Sequence, residues 1–157
     1  IKKKNNKLVI YGKGLYSLKK PNGIIYLGNS GTSARLLTGI LAAQPFNTSI
    51  TGDKSLCSRP MGRIIKPLLQ MNARLKSKNN KLPLFIQGNQ KLKPIKYSVP
   101  LPSAQIKSGL LLAALYINGK TQIIEKSITR NHTEIMLKSY PSSPSLCPIP
   151  PVQYHLS

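Results

Sequence analysis

Acidic side chains are nearly missing from this sequence: Asp53, Glu125 and Glu134 stand against 24 lysines and arginines, for a formal net charge of +21. General acid–base chemistry, which needs a group such as a carboxylate within reach of the moving proton, has little to draw on. Cysteine is scarce too. Cys57 and Cys147 lie far apart behind no signal peptide, which reads as free thiols in a reducing, cytoplasmic compartment rather than a disulfide scaffold. The Asn-x-Ser/Thr triplets at Asn47 and Asn131 are then chance matches. No apolar run approaches the ~20 residues that a membrane-spanning helix needs. Aromatic residues do not stud the basic stretches, and lysine outnumbers arginine, scattered among asparagine and isoleucine. Nucleic-acid binding is therefore not favoured, although the charge keeps it open.

What is present is enough for a folded body: 157 residues, 40% of them hydrophobic, suit one domain with one core. The chain is organised around Leu27-Gly28-Asn29-Ser30-Gly31-Thr32-Ser33-Ala34-Arg35. It follows the strand-like run Ile24 to Leu27 and precedes an Ala/Leu-rich stretch that predicts a buried helix over 32–43. Gly28 and Gly31 supply backbone angles closed to other residues, and Thr32 or Ser33 is placed to cap the helix. Such a helix N-terminus, with Arg35 one turn in, suits a phosphate or carboxylate. A capped turn without a ligand is the competing reading.

Along the chain, a strand from Leu8 to Tyr11 leads through Gly12-Lys13-Gly14 and a linker to the strand Ile24–Leu27 and the helix over 32–43. A strand over 47–52 follows. Ser58-Arg59-Pro60-Met61-Gly62-Arg63 opens a second helix, with Ile64, Ile65, Leu68 and Leu69 at helical spacing and Pro67 as an irregularity. Strands at Ala73–Lys76 and Leu84–Gln87 flank an Asn79-Asn80 turn. A strand over 95–99 precedes a third helix over 103–116, whose Leu110-to-Leu115 core has no polar face and should be buried. A strand at Thr121–Ile124 and a helix at His132–Ser139 complete the body. The order is β-α-β-α-β-β followed by β-α-β-α, repeating with a period of roughly 70 residues. Asn29-Ser30-Gly31-Thr32 answers Ser103-Ala104-Gln105, and Ser58-Arg59-Pro60 answers Thr129-Arg130-Asn131. Residues 1–140 read as one partial α/β lobe, and the Pro/Ser-rich 141–157 as a disordered tail.

Four motifs in one order and spacing carry a resemblance: Gly28 to Leu36, Ser58 to Arg63, Ser103 to Ser108, and Thr129-Arg130-Asn131-His132-Thr133-Glu134. Together, over roughly residues 8 to 139, they resemble the EPSP synthase family, the 3-phosphoshikimate 1-carboxyvinyltransferases. The resemblance implies the enolpyruvyl transferase fold, an inside-out α/β barrel lobe of repeated βαβαββ units, here truncated to most of one lobe. The second lobe would have to come from elsewhere, such as a neighbouring reading frame.

The reaction so implied transfers an enolpyruvyl group from phosphoenolpyruvate to the 5-hydroxyl of shikimate 3-phosphate, a step of chorismate and aromatic amino acid synthesis, with no metal or organic cofactor. Carried over by motif, Gly31, Arg59 and Gln105 would meet phosphoenolpyruvate. Ser103, Ala104, Gln105 and Arg130 would meet shikimate 3-phosphate. Taken alone, Gly31 reads as a tight turn, Ser103 as an N-cap, Arg35 as half of a structural pair, Arg63 as a solvated surface residue and His132 as structural. No catalytic residue is expected within this chain, since none of its carboxylates sits in a motif resembling the family's acid–base groups. Beside an inactive fragment of the enzyme, a basic nucleic-acid-binding fragment and a non-functional remnant stay open.

Overall fold

A computed structural model of the chain describes residues 2–5, 7–88, 91–139 and 153–156. Strands β1 (Lys2–Lys4) and β2 (Lys7–Val9) form an antiparallel hairpin, so the basic opening is itself a strand. The run from there to Tyr26 is poorly covered: Leu8, Ile10, Tyr11, Tyr16, Ile24 and Tyr26 are all exposed.

The first repeat is complete. Strand β3 (Ile25–Tyr26) leads into helix α1 (Gly31–Ala42), then strand β4 (Thr48–Thr51), the short helix α2 (Lys54–Ser58), helix α3 (Gly62–Gln70) and strands β5 (Arg74–Ser77) and β6 (Leu84–Gln87). The sheet order is β3-β4-β6-β5, with β3 parallel to β4 and the other pairs antiparallel. Asn79 and Asn80, both with positive φ, make the turn between β5 and β6. Helix α3 keeps Ile64, Ile65, Pro67 and Leu68 buried, so Pro67 is accommodated within an amphipathic helix.

The second repeat starts again with strand β7 (Lys96–Val99), helix α4 (Ala104–Ala114), strand β8 (Gln122–Glu125) and helix α5 (His132–Ser139). β7 and β8 are parallel, as β3 and β4 are. Of the tail expected to be disordered, 141–152 and 157 lie outside the described residues. Gln153–Leu156 are described, as a strand β9 parallel to β8. In the first repeat the equivalent place beside β4 is taken by the antiparallel β6.

One core joins the repeats, running from Ile50, Leu56, Ile64 and Ile86 to Ile106, Leu110 and Ile123. At its centre α1 and α4 lie side by side, and their N-termini point the same way: Thr32 meets Gln105, and a turn or two further on Gly39 meets Gly109. The backbones touch at that second contact. A Cβ built on Gly39 would stand 2.0 Å from the Gly109 carbonyl oxygen, and one on Gly109 would stand 2.8 Å from that of Arg35. The expected burial of these helices is borne out, α4 being covered along most of its length.

Candidate functional site

The turn between β3 and α1 is stitched to the end of β4: Leu27 N–H donates to the Thr51 carbonyl and Asp53 N–H to the Gly28 carbonyl, each at 2.9 Å. Gly28 has φ +57°, the left-handed conformation that favours glycine. Ser30, rather than Thr32 or Ser33, caps α1; its Oγ accepts from the Ser33 N–H at 3.1 Å. Gly31 is helical and has no unusual φ, which corrects the expectation that its backbone angles demand glycine. The demand is for space, because a Cβ there would stand 2.8 Å from Arg35 Nη1 and 3.2 Å from Arg59 Nη1.

Arg59 closes α2, which corrects its expected place at the opening of the next helix. α2 is only five residues long, too short for apolar periodicity to reveal it. From that position Arg59 donates to Asn29 Oδ1 and, at 3.4 Å, to Ser55 Oγ. Arg35 donates to the carbonyls of Gly31 (3.0 Å) and Pro60 (3.1 Å), binding the α1 turn to the chain that carries Arg59. Arg63, expected to be solvated, is exposed yet donates to the Leu101 carbonyl at 2.9 Å, just before α4. Burial first, and then the charges of Arg63 and Arg59, lower the pKa of Arg35. A group of guanidinium charges held this close favours an anion. The chain's carboxylates are committed elsewhere: Asp53 caps α2 by accepting from the Leu56 N–H at 2.7 Å, and Glu125 and Glu134 hold Lys107.

Beside this cluster lies a cleft of about 210 Å³ lined by Thr32, Leu36, Ala104, Gln105, Ser108, Arg130, His132 and Thr133. Gln105 Nε2 donates to Thr32 Oγ1 at 2.9 Å, so the first turns of α1 and α4 share its wall. Thr133 Oγ1 donates to Ser108 Oγ at 2.7 Å, bringing α5 against α4. Ala104, Gln105 and Arg130 are thus brought together, with Gly31 and Arg59 reached along α1 from Thr32. Ser103 is not a lining residue of this cleft. Its Oγ accepts from the Ile106 N–H at 3.5 Å as the N-cap of α4. Sequence reasoning missed Thr32, Ser108 and Thr133 as lining residues and took His132 as structural.

It also missed what lies behind the cleft wall. Lys107, buried in α4, places Nζ 2.6 Å from Glu125 Oε2 and 2.6 Å from Glu134 Oε1. A lone lysine in the Ile106-to-Leu115 run was the available signal, because a buried ammonium requires a partner. Burial alone lowers the Lys107 pKa, but the hydrogen bonds and charges of Glu125 and Glu134 outweigh it and raise the pKa above its ordinary value. A raised folded pKa gives stability that is complete below the unfolded value of about 10.4 and is lost as pH rises through the folded one. Urea unfolding midpoints measured up to alkaline pH should fall above about pH 10.4, and more steeply in the natural chain than in Lys107→Met. Equal alkaline slopes would count against the pairing.

The chain is thus an α/β lobe of repeated units in which the first turns of α1 and α4 share a cleft wall with Arg130 among the lining residues. The family model for EPSP synthase (3-phosphoshikimate 1-carboxyvinyltransferase) matches residues 1–141. The chain belongs to the EPSP synthase family. It is 53% identical to the 3-phosphoshikimate 1-carboxyvinyltransferase of Vesicomyosocius okutanii over 138 residues, covering 88% of this chain and 32% of that protein. The enzyme of the same name from Streptococcus pyogenes serotype M2 is 49% identical over 142 residues, covering 89% and 33%. The structure of EPSP synthase from Acinetobacter baumannii superposes with a TM-score of 0.80 at 49% identity, over 82% of this chain and 29% of that one. The chain therefore spans about a third of the length of these relatives. None of these findings favours the nucleic-acid reading, and no helix among the described residues is long and apolar enough to cross a membrane.

Proposed function

We propose that this chain is the part of an EPSP synthase that holds the anionic groups of phosphoenolpyruvate and shikimate 3-phosphate while an enolpyruvyl group passes to the sugar 5-hydroxyl. The observation that carries the reading is the meeting of Ala104, Gln105 and Arg130 in one cleft beside the Gly31–Arg59 turn. In this reading Arg59 and the α1 N-terminus face phosphoenolpyruvate, Arg130 and the α4 N-terminus face the sugar phosphate, and Gln105 lies between the two. Ser103 then acts on the sugar phosphate through the helix end it caps.

Transfer requires a base for the attacking hydroxyl and an acid for the methylene carbon, and after addition the phosphate leaves. Asp53, Glu125 and Glu134 are each engaged in structural bonds, and in this reading both proton carriers belong to the remainder of the enzyme, supplied in trans by a neighbouring reading frame. A cytoplasmic setting belongs to the same reading and is supported by the match to the EPSP synthase family.

Calorimetry should show shikimate 3-phosphate binding weakly to the isolated chain. Arg130→Ala should weaken it about 10- to 100-fold, the loss of one or two charge-assisted hydrogen bonds. Undiminished affinity in Arg130→Ala would remove the assignment. The chain alone should release no phosphate from the two substrates, and release by the chain alone would refute the division of labour.

A further inference from the structure

Arg130 lies on the loop between β8 and α5, and this loop has little apolar anchorage: residues 126–128 are exposed, Ile128 to 79%. Its polar tethers are correspondingly specific. Thr129, the residue before Arg130, donates its hydroxyl to Glu125 Oε1 at 2.6 Å, and the other oxygen of that carboxylate accepts from Lys107 Nζ at 2.6 Å. The same ammonium holds Glu134 in the first turn of α5. Both ends of the loop are therefore fixed to one point on α4, and that helix also presents Ala104, Gln105 and Ser108 to the cleft.

We infer that Thr129, through the Glu125–Lys107–Glu134 network, is a positioning residue that holds Arg130 over the cleft at a set height relative to Gln105. A buried ion triad is a poor device for stability alone, since apolar residues of the same volume generally stabilise as well or better. Here the triad fixes a chain segment that carries a ligand-facing cation. The inference rests on the reading of Arg130 as a sugar-phosphate ligand.

The test uses the full chain, shikimate 3-phosphate as probe, and a double-mutant cycle. Thr129→Val should weaken binding about five- to tenfold, the effect of one misplaced charge-assisted contact. Thr129→Ser, which keeps the hydroxyl, should bind as the natural chain does. In an Arg130→Ala background Thr129→Val should cost nothing further, whereas a general loss of structure would add to the Arg130 effect. Unchanged binding in Thr129→Val, or additive losses, would overturn the inference. Failure of the natural chain itself to bind would instead refute the proposed function. Amide hydrogen exchange over 128–131 decides the positioning role in that event. Protection lost in Thr129→Val and kept in Thr129→Ser supports it, and unchanged protection in Thr129→Val overturns it.

Discussion

Gly39→Ala is expected to lower the unfolding free energy by about 3 kcal/mol or more, the upper end of the range for overpacking a core. On a solvated helix the same change would stabilise by about 1 kcal/mol through helix propensity, so the sign is decided by what the new methyl meets. It meets backbone: the Gly109 carbonyl oxygen would lie 2.0 Å from the added Cβ, and neither helix can yield by rotating a side chain. α1 and α4 must move apart, opening the core that joins the repeats. Gly109→Ala should cost less, because its Cβ would stand 2.8 Å from the Arg35 carbonyl and 3.0 Å from the movable Cδ1 of Ile64. Urea unfolding followed by far-UV circular dichroism measures both. A Gly39→Ala midpoint at or above that of the natural chain would show that the helices do not cross at this pair.

Lys107→Met should cost a comparable amount, about 3–5 kcal/mol, as expected when one member of a buried ion network is removed. Methionine fills the space of the lysine stem, so the loss is electrostatic: the buried residues Glu125 and Glu134, 5% and 3% exposed, lose the Lys107 ammonium. Adding Glu125→Gln and Glu134→Gln should recover part of the loss by removing the stranded charges. Thermal unfolding of the single and triple variants checks this. A single variant as stable as the natural chain, or a triple variant less stable than the single, would contradict the account.

Much of this architecture was legible because it rests on local signals. The glycine- and serine-rich turn before Ala34, the apolar helix around Leu110 and the Asn79-Asn80 turn each announce themselves within a few residues. Their order yielded the repeat and the resemblance. What was not legible depended on distant partners. Nothing near Gly31 says that guanidiniums from Arg35 and Arg59 will crowd it, and nothing near Gln105 says that Thr32, 73 positions away, will accept its hydrogen bond. Lys107 finds its carboxylates on β8 and α5, in separate elements downstream. The cap of α1 fell to Ser30 because Gly31 is small enough to enter the helix under the two arginines, which moves the boundary by one residue.

The glycine crossing of α1 and α4 makes the cleft a calliper. The jaws are the first turns of α1 and α4, joined by the Gln105–Thr32 hydrogen bond, and the pivot is a contact of bare backbone that side-chain repacking cannot adjust. The gap between the jaws is consequently a property of the main chain. Substitutions of cleft side chains leave the spacing of these two helix ends as it is, and a side chain added at Gly39 or Gly109 changes it.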